Sequence, residues 1–230
     1  DGVDRDCDGS PDDARLRDDG VGWSGPRQLS LADNQLPAGF DFTAHIHRLR
    51  RHIASHSPQL AHINMQRVAV SFNQARKPGP YGLQASLTPL RFENGATSTR
   101  RRGQQVSCQQ LLDANGHEML YILRFYLPRY LNGSLMDKLT TLFHELWHIS
   151  PRFDGDLRRF PGRCYIHTSK EAHYDAEVTQ LAQQWLATDP PRQLYSFLEH
   201  DFRQLQSIHQ RVVGVRIPRP KLIPLDNSAA

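Results

Sequence analysis

Residues 144–148 read His144-Glu145-Leu146-Trp147-His148, a pattern whose residue types and spacing suit metal chemistry. On a helix, positions i and i+4 share a face, with β-carbons about 6 Å apart. Two neutral imidazoles so placed can hold one zinc ion between them. Glu145 follows the first histidine by about a third of a turn. It can therefore reach a water beside the ion rather than the ion itself, which is the position of a general base. The motif predicts His144 and His148 as Zn2+ ligands and Glu145 as the catalytic carboxylate.

Such a motif works only on a helix, and the flanking residues supply one. Leu135, Leu139, Leu142, Leu146 and Ile149 form a continuous apolar stripe, which predicts a helix over 134–149. The two histidines fall roughly opposite that stripe, so the helix packs by one side and offers the imidazoles from the other. Pro151 disfavours helical geometry at Ser150 and ends the element. The run from Met119 to Leu127, almost wholly apolar, predicts a strand buried on both faces.

A second helix is predicted over 169–187, with Tyr174, Val178, Leu181 and Trp185 inward, a capping box from Thr168 to Glu171, and Pro190-Pro191 as its end. A further helix over 192–212 would bury Leu194, Phe197, Leu198, Phe202, Leu205 and Ile208. Upstream, Phe42, Ile46, Leu49 and Ile53 recur at helical spacing until Pro58, with His45, His47, His52 and His56 expected on exposed faces. Alternation predicts strands at Val68–Phe72 and from Leu83 to Phe92. The stretch 94–105, with Arg100-Arg101-Arg102, reads as a polar loop. No internal repeat is present.

Composition bounds the rest. Hydrophobic residues make up 38% and charged residues 23%, enough apolar content for a core and against a wholly disordered chain. No run of apolar residues is long enough to span a bilayer, so no membrane partner is expected. Three cysteines (Cys7, Cys108 and Cys164) argue against a disulfide scaffold and for a reducing, cytoplasmic compartment. The chain opens on Asp1, without a basic-then-apolar leader, as expected of a fragment or processed product.

Charge divides unevenly. Residues 1–35 hold nine Asp and four Arg, whereas the remainder holds 24 basic and 15 acidic residues. Residues 1–38 therefore read as an acidic tail, 39–213 as the folded domain, and 214–230 as an extended basic tail. Within the first tail Asp4, Asp6, Asp8 and Gly9 resemble the opening of a calcium loop, but the twelfth position is Arg15 rather than Glu. The basic body motivates an alternative function, association with nucleic acid.

The order of elements resembles the zincin metallopeptidases. The stretch HELWHISPRFDGDLRRF, with RCYIH and HYD nearby, is similar to the phage-type metallopeptidases and more distantly to SprT-like proteases. This likeness covers residues 134–187. It implies an α+β, zincin-like fold with a small three- to four-stranded sheet on helices, and a hydrolase that cleaves peptide bonds in a peptide or protein substrate. SprT-like proteases also associate with nucleic acid.

A catalytic zinc takes three protein ligands and a water. Asp154 has the metzincin spacing, although Pro151 stands where those enzymes need glycine. Glu171, with Asp175 four residues on, has the gluzincin pattern. His167, at the entry of the second helix, matches the SprT-like pattern and is preferred, with Asp175 supporting a ligand from behind; Cys164 is a fourth option. Tyr165, His173, Tyr174, Arg158 and Arg159 are candidate oxyanion donors. If four of these groups closed the site, the zinc would be structural rather than catalytic.

Overall fold

The computed structural model describes residues 28–30, 38–75, 81–159 and 171–225, with the backbone alone for 28–30 and 171–175. His167, Cys164, Tyr165, Thr168 and the calcium-like run lie outside them, as do the side chains of Glu171, His173, Tyr174 and Asp175. The described chain is mixed α+β. Its strands are β1 (Gln28–Ser30), β2 (Phe40–Asp41), β3 (Val68–Gln74), β4 (Ala85–Pro89), β5 (Ser98–Arg101), β6 (Gln104–Cys108), β7 (Gln110–Leu112), β8 (Tyr121–Leu127), β9 (Val212–Val213) and β10 (Leu222–Pro224). Its helices are α1 (Phe42–His56), α2 (Leu135–Trp147), α3 (Glu171–Ala187) and α4 (Phe202–His209).

The central sheet has the order β3-β8-β4, with β3 parallel and β4 antiparallel to β8. Both faces of β8 are covered, which explains its nearly continuous apolar sequence. On one face Val68, Val70, Tyr121, Leu123 and Phe125 meet α1, α2 and α3. On the other, Ala69 and Ile122 meet Val106, Cys108 and Ile217. The second layer is the antiparallel sheet β10-β6-β5.

Several expectations change here. The strand expected from Leu83 to Phe92 is confined to β4, and Leu83 is exposed. The expected loop at 94–105 contains the β5–β6 hairpin, turned by Arg102 and Gly103 at positive φ. β5 buries no residue and β6 only Val106 and Cys108, too short an apolar alternation to mark the hairpin. The helix expected over 192–212 is two short 3-10 turns followed by α4. Asp201 stops continuity because its carboxylate accepts from the Gln204 N–H and caps a new helix. Ile208, expected inward, is exposed. Of the α1 histidines, expected exposed, only His56 is; His45, His47 and His52 are half-buried, and burial of His47 beside the Arg50 cation pushes its pKa down to about 3.

The two stretches expected as tails hold ordered contacts. β1 pairs in parallel with β7. Residues 214–225 are extended but packed: Ile217 is 3% exposed, and β10 pairs with β6. Among the described residues, no helix is long and apolar enough to cross a membrane.

Candidate metal and hydrolytic site

The α2 helix begins where its sequence dictates. Ser134 accepts from the Asp137 N–H at 3.1 Å while Asp137 accepts from the Ser134 N–H at 3.0 Å, so each satisfies an orphan donor. Leu139, Leu142 and Leu146 are fully buried, as their stripe requires. The helix ends at Trp147, and His148 serves as its C-cap with near-helical φ and ψ. That keeps the i, i+4 relation intact. The His144 and His148 rings lie 4.6 Å apart between centroids, at 81° to one another, and both are half-buried.

Glu145 occupies a different environment. It is 8% exposed, between α2 and β4. Burial pushes its carboxyl up to about 8, opposed by hydrogen bonding to the Leu87 backbone. Strand parity explains that contact. The Gln84 carbonyl and the Leu90 N–H both bond β8, so even-numbered residues of this segment turn their backbone inward. Ala85, Leu87 and Pro89 therefore present theirs along the outer edge. Among the described residues no strand pairs with that edge. Sequence reading missed β4 as a neighbour of Glu145; a short strand among polar residues carries no sign of which edge it forms.

The chain after His148 folds back on the sheet. Ile149 bridges Leu157, and the Arg158 N–H donates to the His148 carbonyl at 2.7 Å. Tyr121, fully buried, pins this return by donating to the Asp156 carbonyl and accepting from the Gly155 N–H. Gly155 is required here: its φ is +89°, and a β-carbon would lie 2.8 Å from Arg91 Cβ. Arg158 Nε donates to the Trp147 carbonyl at 2.7 Å, and its guanidinium lies 4.2 Å above the Trp147 ring. A cation at that helix end is favourable. Arg159 pairs with Asp156 through Nε and Nη2. Neither arginine is placed by these contacts as an oxyanion donor.

Asp154 is turned toward Arg152, with which it forms an ion pair at 3.0 Å, and it accepts from the Asp156 N–H. Among the described residues no third His, Cys, Asp or Glu joins His144 and His148. The α3 helix, which begins at Glu171 and has Asp175 as its fifth residue, packs against α2; Trp185 and Phe143 rings are 6.4 Å apart there. The donor set present, two imidazoles on one helical face, fits a zinc ion as part of its coordination. No family model, curated protein or solved structure matches the chain.

Proposed function

We propose that the protein is a zinc-dependent metallopeptidase of zincin type, with His144 and His148 as metal ligands and Glu145 as general base. The observation carrying this reading is the junction of α2 with β4: two half-exposed imidazoles beside a buried carboxyl whose proton affinity is raised into the neutral range. A zinc ion bound there would polarise the scissile carbonyl and acidify water.

Glu145 takes a proton from the attacking water as the water oxygen bonds to the carbonyl carbon. It then delivers that proton to the amine nitrogen as the C–N bond breaks. Glu145 acts here from its ionised form, which a zinc ion bound beside it would favour over the protonated form that burial favours in the metal-free protein. Along the outer edge of β4 the Leu87 backbone already meets Glu145, which leaves the Ala85 backbone and the Pro89 carbonyl for an extended peptide to pair with. The third ligand we assign to His167, supported by Asp175.

Incubation with an unfolded protein substrate tests the reading. Cleavage should stop on chelation and return on adding zinc. Cleavage that survives exhaustive chelation contradicts it.

A further inference from the structure

The face of the central sheet turned away from α2 carries a separate feature. Parity along β8 sends Tyr121, Leu123 and Phe125 toward the helices and Ile122, Arg124 and Tyr126 to the opposite side. There a cavity of about 340 Å3 is lined by Asn73, Arg124, Tyr126, Arg216 and Arg219, with Ile217 as an apolar wall. Three of these groups are guanidinium groups, and among the described residues no Asp or Glu lines the cavity.

The arginines are held rather than loose. Residues 214–221 strap this face. The Val215 carbonyl accepts from the Phe72 N–H at 3.1 Å, the Ile217 N–H donates to Ser71 Oγ at 2.9 Å, and the Lys221 carbonyl accepts from the Gln109 N–H at 2.8 Å. Those anchors fix the backbone on both sides of Arg216 and Arg219. The Arg216 guanidinium lies 5.4 Å from the Phe72 ring centre.

Arg124 is the decisive residue. It is 3% exposed; Nη2 donates to the Ile217 carbonyl at 3.0 Å, and among the described residues Nε has no hydrogen-bond partner. Burial, with the Arg219 charge behind it, holds its guanidinium below the usual arginine range, opposed by Tyr126, with which it shares a hydrogen bond. A buried cation without an anion is costly, and an anion in the cavity would offset that cost.

We infer that this cavity binds a small phosphorylated molecule, with its phosphate against Arg124, Arg216 and Arg219 and its organic part against Tyr126 and Ile217. Phosphate accepts the paired N–H donors of several guanidinium groups at once, and its double charge matches a cationic wall. The volume falls in the range of small-molecule sites, leaving room beyond the phosphate for an organic group. The site lies across the sheet from Glu145, so its binding is measurable whether or not the protein cleaves peptides.

The full chain should be titrated with inorganic phosphate and with phenyl phosphate at constant ionic strength, followed by calorimetry. Saturable binding is expected for both, tighter for phenyl phosphate. Arg216→Gln and Arg219→Gln should each weaken it about tenfold, while Arg48→Gln, exposed on α1, leaves it unchanged. The two tested arginines are exposed, so folding is preserved where Arg124→Gln could perturb it. Absence of saturable binding, or binding indifferent to Arg216→Gln, overturns the inference. So does an Arg216-dependent affinity for single- or double-stranded DNA without affinity for either small phosphate, which would make the cavity part of a nucleic-acid surface.

Discussion

Glu145→Gln should abolish peptide hydrolysis, stabilise the metal-free protein at neutral and alkaline pH, and leave zinc binding intact. Loss of a general base costs about 10²–10⁴-fold in rate. The stability effect has a definite sign. The buried carboxyl titrates near 8, whereas its ordinary value is 4.5. Between those pH values the folded protein keeps a proton that the unfolded chain has released. Wild-type stability therefore falls as pH rises through that window. Glutamine does not titrate, so the variant escapes the fall and its advantage should grow to about 4 kcal/mol at pH 8. Denaturant unfolding at pH 5 and pH 8, beside a cleavage assay, reads both effects. Retained turnover would remove Glu145 as base, and a pH-independent stability gap would show that its carboxyl is not held neutral.

Trp185→Ala should destabilise the fold by about 3–5 kcal/mol. Trp185 is 2% exposed, and its Nε1 donates to His52 Nδ1 at 3.3 Å. Its ring lies against those of Phe143 on α2 and Tyr195, so it joins α1, α2 and α3. Deleting it leaves a cavity where three helices meet. Because α3 contains Glu171 and Asp175, the same change should loosen the helix expected to complete the site. The urea midpoint, compared with that of Trp185→Phe, checks the size; a loss under about 1 kcal/mol would contradict this packing account.

The parts of the fold written in periodicity were legible. The stripe and Pro151 located α2, and uniform apolarity located β8, because each element buries a face that its own residues must encode. The β5–β6 hairpin was not legible, since β5 buries no residue and β6 only Val106 and Cys108, too few to show an apolar alternation. Nor was the strap at 214–225: its packing depends on isolated inward residues, Ile217 and Ile223, among prolines and arginines that read as solvated. The division of 192–212 into short turns and α4 depends on Asp201 preferring to cap rather than to continue, a local competition that helical spacing conceals. At the site, spacing brought His144, Glu145 and His148 together. The partners that set Glu145's character, burial against β4 and the Leu87 backbone, come from tertiary contact alone.

Zinc stoichiometry of the reconstituted protein, measured in wild type and in His144→Ala, His148→Ala, His167→Ala, Glu171→Ala and Asp154→Ala, decides whether α2 carries a metal centre. One zinc per chain is predicted for wild type, Glu171→Ala and Asp154→Ala, with loss in the three histidine variants. Loss in Glu171→Ala with retention in His167→Ala would transfer the third ligand to Glu171. No zinc in wild type, or full zinc in both His144→Ala and His148→Ala, would contradict a metal centre on α2.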